Sequence, residues 1–248
     1  PLWSLPTDFP RRSTIRYKGA MKQHRLSPAH SKILIQRAKE ANVSLFCYLF
    51  AFYQFFLHRY TQQDIIVVGT PIQQRDNQKT QQLFGFMVNT LPVAMDFSEN
   101  LKYDVYVQQM HQQLIQVYKH QDIYFDEIIE HIKPPRSSEH DPLFQTAFAL
   151  QTSSHAELSL KGCLCESLHH KAIEQQRMSR TEVYFVAELE DGILTFIFEY
   201  LIELFKPSTI DTMMQQWWHL MQQIIERPHD NFSDYSLLGY TPTHPYLS

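Results

Sequence analysis

A chain of 248 residues is long enough to bury one large core or two small ones. Apolar residues make up 44% of it and charged residues 19%, a balance that excludes intrinsic disorder. Lys and Arg number 22 against 26 acids, a formal charge of -4 without a basic cluster, which excludes nucleic acid as the expected partner.

The first residues, Pro1-Leu2-Trp3-Ser4-Leu5-Pro6, carry neither the basic n-region nor the apolar h-region of a signal peptide. Leu5-Pro6-Thr7-Asp8-Phe9-Pro10-Arg11 reads as an extended, proline-stiffened linker. Ser27-Pro28 opens a helix that runs to about Lys39, with Pro at its first position. A second helix follows over Ser44–Tyr60 and is apolar on nearly every side. It is shorter than the ~20 apolar residues of a membrane span and carries Gln54, so it is expected as a core helix. Ile65-Ile66-Val67-Val68 has the unbroken β-branched pattern of a strand covered on both faces, and Gly69-Thr70-Pro71 is expected to end it. Residues 73–82 are polar and read as a loop or short helix.

Next comes Phe84-Gly85-Phe86-Met87-Val88-Asn89-Thr90-Leu91-Pro92, an apolar strand with an amide and a hydroxyl set into it. A buried amide needs a partner, so Asn89 is the first candidate for a functional residue; the plain alternative is a core amide bonded to nearby backbone. Tyr103, Tyr106, Val107, Met110, Leu114 and Val117 recur at helical spacing and give an amphipathic helix ending near Lys119. His120-Gln121-Asp122 stands just past that end, and Asp122 is expected to accept backbone N–H bonds and hold the loop. A short helix from Phe125 to His131 stops at Pro134-Pro135, and Leu143 to Gln151 reads as a strand.

Beyond a polar break at Ser153-Ser154, strands at Val183–Ala187 and Ile193–Phe198 flank Asp191-Gly192, a hairpin turn signal. The last helix starts at Pro207-Ser208, carries Ile210, Met213, Met214, Trp217, Met221, Ile224 and Ile225 on one stripe, and stops before Pro228. Helices alternating with strands predict an α/β sandwich. The three cysteines, Cys47, Cys163 and Cys165, lack zinc-ligand spacing, and an odd number suits free thiols in a reducing cytoplasm. No metal site is expected. No Gly-x-Ser-x-Gly elbow and no phosphate-binding Gly-rich loop occurs.

The Asn89 and His120 stretches resemble the condensation domains of nonribosomal peptide synthetases, whose boxes read G-F-F-V-N-T-L and H-Q-D-x-P-F-E. The resemblance covers almost the whole chain. Tyr124 stands where that family has Pro, Asp126 where it has Glu, and Asp141 where the next box, R-x-x-S-R-N-P-L-F, has Asn; the second Arg of that box is absent. The resemblance implies one lobe of the two-lobed α/β fold of chloramphenicol acetyltransferase, a mixed sheet packed with helices. It divides the chain into an interlobe linker over 1–12, a C-terminal lobe over 13–238, and a tail over 239–248 leading to a next domain. It implies that Asn89 and Thr90 line the substrate channel and that Gly85, His120, Gln121 and Asp122 are structural.

The family's peptide-bond chemistry is attributed to a His-His-x-x-x-Asp-Gly motif. Here His169-His170 is followed by Glu174-Gln175 and lies downstream of the Asn89 box, not upstream, so no catalytic residue is assigned in this chain. The implied partners are the N-terminal lobe, carrier proteins whose phosphopantetheine arms deliver the substrates, and an adjacent adenylation domain; no membrane and no directly bound cofactor are implied. The expected function is amide bond formation between carrier-bound thioesters. The alternatives are a free-standing lobe that docks carriers and a coenzyme A-dependent acyltransferase of the same fold.

Overall fold

The computed structural model describes residues 4–11, 17–74, 82–85, 87–135, 141–152 and 177–238. Phe86, Arg136, Cys163, Cys165, His169, His170 and the tail over 239–248 lie outside the described residues. In chain order the elements are β1 (Lys18–Arg25), α1 (Pro28–Glu40), α2 (Leu45–Thr61), β2 (Ile65–Gln73), β3 (Val88–Asp96) and α3 (Tyr103–Lys119). They continue with α4 (Phe125–Ile132), β4 (Thr146–Thr152), β5 (Arg177–Met178), β6 (Val183–Glu190), β7 (Ile193–Leu201), α5 (Pro207–Glu226) and a 3-10 turn over Phe232–Asp234.

Helix α2 is the centre. Ser44 caps it by accepting from the Cys47 N–H at 3.1 Å. Every residue from Cys47 through Leu57 is buried, which a helix polar on one side could not sustain. Phe50 packs on Phe148 of β4, Tyr53 stacks on Phe185 of β6 at 4.7 Å, and Phe52 meets Trp217 of α5 edge-on. The one amide in this run, Gln54, donates to the Val93 carbonyl at 2.9 Å and so ties the helix to β3. Among the described residues no single helix is long and apolar enough to cross a membrane.

The sheet under α2 has the order β3-β2-β4-β6-β7-β1-β5. Its β2–β4 and β4–β6 contacts are parallel and the others antiparallel. Asp191 and Gly192, at φ 49° and 76°, make the turn between β6 and β7 that the sequence predicts. Two expectations need correction. Strand β2 does not end at Gly69-Thr70-Pro71 but runs through it to Gln73. The Gln74 N–H donates to the Met87 carbonyl at 3.0 Å, which sets the phase of the antiparallel ladder. By alternation the pairs Gly69↔Pro92 and Pro71↔Thr90 then exchange no hydrogen bonds, so neither proline interrupts the pairing. Strand β4 starts at Thr146, not Leu143, because Leu143 sits at φ 74°, outside any strand conformation. Strands β1 and β5 carry too few apolar residues to be legible in the sequence.

The expected linker is docked over the part described. Leu5 is 1% exposed and belongs to the core. Ser4 and Gln63 exchange two hydrogen bonds, at 3.3 and 3.1 Å. The Asp8 carboxylate accepts from the Lys206 N–H at 2.7 Å and from Thr209 Oγ1 at 2.9 Å, putting negative charge at the start of α5. Arg11 grips Glu182 with two bonds of 2.7 Å and donates to the Leu5 carbonyl at 2.8 Å.

Three measurements test this account. Gly69 has no room for a side chain, because a Cβ there would lie 2.5 Å from the Phe144 ring. Gly69→Ala is expected to cost about 1–3 kcal/mol in urea unfolding, and Phe144→Leu in the same background to recover part of it. The side chains of Arg11 and Glu182 are only 13% and 6% exposed, so Arg11→Met should remove two charge-assisted bonds from a buried carboxylate and cost roughly 1.5–3 kcal/mol. Adding Glu182→Gln should raise the melting temperature again, and a further fall would show that the pair is not the source.

The third concerns His24, whose ring lies 5.3 Å from that of Trp218 while His30 lies 5.1 Å from the same indole. Burial, and then the neighbouring His30, lowers the His24 pKa below its ordinary value. The unfolded chain therefore takes up this proton first as pH falls past about 6.5, and stability drops from there until the folded pKa is passed. His24→Gln should flatten the fall in melting temperature between about pH 7.5 and about pH 5. An identical fall in the variant would place the titration elsewhere.

Candidate functional site

Strand β3 alternates, with Asn89, Leu91, Val93 and Met95 buried on the face toward the helices and Val88, Ala94 and Asp96 exposed. Asn89 occupies the end of this apolar row and is 4% exposed. An amide there needs four partners, and it has them. Its Nδ2 donates to the carbonyls of Gln121 at 3.0 Å and Ile123 at 2.8 Å. Its Oδ1 accepts from the backbone N–H of Thr90 at 2.9 Å and Phe125 at 3.3 Å.

The two boxes of the sequence thus meet in space, with the amide of one holding the backbone of the other. The meeting depends on where α3 stops. His120 caps that helix at φ −112° and ψ 20°, and the N–H groups of His120 and Gln121 bond back to Val117 and Tyr118. Ile123 donates to the His120 carbonyl at 3.2 Å, closing a turn that points the Gln121 and Ile123 carbonyls at β3. Gln74 adds a long bond of 3.4 Å to the same Gln121 carbonyl. Helix α4 then begins without a side-chain cap of its own, and Asn89 supplies the acceptor for its first N–H.

The expectation that Asp122 holds this loop is corrected. Asp122 is exposed, and among the described residues the side chain that makes the holding bonds is Asn89. His120 is exposed as well. Thr90 is half-buried, one residue out of phase with Asn89 and therefore on the opposite face of the strand. A Cβ at Gly85 would meet nothing within 4 Å, so close packing does not account for that glycine. Behind the loop, Phe125 packs on Phe144 at 5.3 Å, and Phe144 lies over Gly69 of β2. The sequence did not point to Gln74 or Phe144 as parts of this site. Gly69-Thr70-Pro71, which mimics a turn, hid the contact that makes Gly69 necessary.

Chemically the described part of the site is a braced backbone. Cys47 is buried and its thiol is pushed up to about 12 by burial, which keeps it neutral and inert. Among the described residues no three His, Cys, Asp or Glu side chains gather in metal-binding proximity. A cleft of about 360 Å³ opens elsewhere, between α1, α2, α3 and the segment at Pro228-His229, and none of the residues singled out as site candidates in the sequence lines it. Several of its polar groups are already engaged, Asp104 with His229 at 2.8 Å and Gln108 with the Ala41 carbonyl at 2.7 Å.

Residues 1–243 match the model of the family described as Condensation domain. Tyrocidine synthase 3 of Brevibacillus parabrevis is 27% identical over 240 residues, which is 96% of this chain and 4% of that protein. Bacitracin synthase 2 of Bacillus licheniformis is 28% identical over 248 residues, all of this chain and 9% of that protein. The chain thus spans under a tenth of these curated relatives.

Among solved structures, holo-AB3403, a four-domain nonribosomal peptide synthetase, superposes with a TM-score of 0.84 at 22% identity over 96% of this chain and 19% of that one. The X-domain from teicoplanin biosynthesis gives 0.81 at 17% identity over 96% of this chain and 54% of that one. The fold is that of a lobe of the chloramphenicol acetyltransferase-like architecture. By its sequence over nearly its full length, and by the fold it shares with these neighbours, the chain belongs to the condensation-domain family of nonribosomal peptide synthetases.

Proposed function

We propose that this chain is the C-terminal lobe of a condensation domain and contributes to amide bond formation between carrier-bound aminoacyl or peptidyl thioesters. The observation that carries the reading is the family match over residues 1–243, joined in space by the bonding of the Asn89 box to the His120 box. Residues 1–12 lead in from an N-terminal lobe, residues 13–238 form the lobe, and residues 239–248 lead toward a next domain. An adenylation domain and carrier proteins are the partners, and the setting is the cytoplasm.

In the reaction, the amine of the acceptor attacks the thioester carbonyl of the donor. A C–N bond forms, the C–S bond breaks, and the thiol of the donor arm leaves with a proton. The phosphopantetheine arms belong to the carriers and enter as substrate. The amine must lose its proton and the tetrahedral intermediate must be stabilised, which calls for a placed base or donor in a closed site. The N-terminal lobe supplies that histidine. This lobe supplies a wall, in which Thr90 stands on the strand face away from the helices and Asn89 braces the neighbouring loop. One wall cannot align two arms, and such alignment is worth roughly 7–11 kcal/mol.

The test supplies loaded donor and acceptor carriers to the purified chain, and then the N-terminal lobe in trans. Dipeptide is expected only after the second addition. Product from the chain alone would overturn the reading.

A further inference from the structure

The cleft between α1, α2 and α3 lies at the start of α3, while the loop bonded to Asn89 follows its end, about 20 Å away along the helix. At about 360 Å³ it has room for a small organic molecule. Its floor is apolar and well packed. Tyr103 and Val107 of α3 are fully buried, Tyr48 of α2 is 3% exposed, and the two tyrosine rings meet edge-on at 6.0 Å.

Two donors carried by its lining residues, the Tyr48 hydroxyl and the Arg37 Nε, are buried and have no partner among the described residues. A buried donor left unbonded is a loss to the fold unless something else bonds it. Burial pushes the Tyr48 phenol well up from its ordinary pKa, with Arg37 opposing and Glu40 reinforcing, so it keeps its proton at neutral pH and feels both neighbours. The other polar groups are matched: Arg37 Nη1 with Glu40 at 3.0 Å, Asp104 with His229 at 2.8 Å, and Gln108 with the Ala41 carbonyl at 2.7 Å. Two carboxylates, Glu40 and Asp104, stand against one guanidinium, so the cleft does not attract an anion. What it lacks is an uncharged acceptor.

We propose that this cleft binds an uncharged organic molecule carrying an amide carbonyl on an apolar body. The carbonyl oxygen, with two lone pairs, accepts from the Tyr48 hydroxyl and the Arg37 Nε, and the body lies on Tyr103 and Val107. The hydroxyl has almost no open surface, so the ligand reaches it by displacing Glu40. That side chain is 49% exposed, and its bonds to Arg37 at 3.0 Å and Gln36 at 3.2 Å are exposed ones that water replaces at little cost. The site stands apart from the condensation chemistry proposed above.

The test titrates the purified chain with N-acetylphenylalaninamide and follows backbone amide shifts by NMR. A Kd on the order of a millimolar is expected for a ligand of that size, with the shifts gathered at the cleft residues. N-acetylphenylalanine, which carries a carboxylate in place of the terminal amide, should bind about tenfold more weakly. Tyr48→Phe removes only the hydroxyl and should raise the Kd about three- to tenfold. It should leave the melting temperature of the unliganded chain unchanged or higher, because the lost hydroxyl has no partner there. Glu40→Ala should tighten binding, and Val105→Trp, at a lining position 45% exposed, should abolish the shifts.

Equal affinity in Tyr48→Phe, a carboxylate bound as tightly as the amide, weaker binding by Glu40→Ala, or no saturable shift at all overturns the assignment. So does a lower melting temperature for unliganded Tyr48→Phe, since the hydroxyl would then be bonded without any ligand.

Discussion

A helix that is apolar on every side must be covered on every side, and α2 imposes this on the whole lobe. Burying each of its phenylalanines is worth about 1.5–3 kcal/mol, so no face of it can be left to water without a large loss. The sheet covers one side through Phe148 and Phe185, and α5 another through Trp217. The remainder falls to short irregular segments. Phe55 stacks on Phe232 of the 3-10 turn at 4.6 Å and meets Tyr235 edge-on. The last turns of the same helix hold both ends of the described chain, Arg59 donating to the Tyr235 carbonyl and Gln63, just beyond, exchanging bonds with Ser4. Segments that would be loose appendages on another core are here part of the packing.

Two amides enter this environment, and their partners explain where they stand. Gln54 would be a defect in α2 without the Val93 carbonyl. Asn89 would be a defect in β3 without the loop beyond α3. Each joins two elements that apolar contact alone would let slide, since dispersion is non-directional while a directional hydrogen bond accepts one register. The apolar row of β3 specifies which face is inward, and Asn89 specifies where along the strand the loop must sit.

The helices were legible because their signals are local. Ser27 and Ser44 cap where the sequence places them, and the stripes of α3 and α5 bury the residues that the spacing selects, except that Val117 is only half-buried. Strand β1 was not legible, because Lys-Gly-Ala-Met-Lys-Gln-His-Arg has no apolar alternation and is drawn into the sheet by its ladder with β7. Pro71 misled for a subtler reason: a proline ends a strand only when its missing donor is needed, and the phase of the ladder is a property of two strands together. In the site, the sequence pointed to both stretches that Asn89 joins, and it gave the holding of the loop to Asp122. Asp122 has the chemistry to hold a loop, but the donors and acceptors of that loop face β3, where only an amide can satisfy carbonyls and N–H groups at once. The pairing of Arg11 with Glu182 spans 171 residues and leaves no trace in either neighbourhood.

Strand β3 ends the sheet, so one of its edges has no neighbour among the described strands. The residues of its non-hydrogen-bonded pairs turn their N–H and C=O groups toward that open side, and Pro92 is the middle one of them. An incoming strand from another molecule would need a donor at that point and finds a ring instead. Open edges are the usual templates for intermolecular sheet growth, and natural proteins block them with charge, bulges or proline. The Pro that closes the Asn-Thr box therefore has a consequence for assembly: it leaves the middle of that open edge without a donor, which disfavours pairing with a second copy of the lobe.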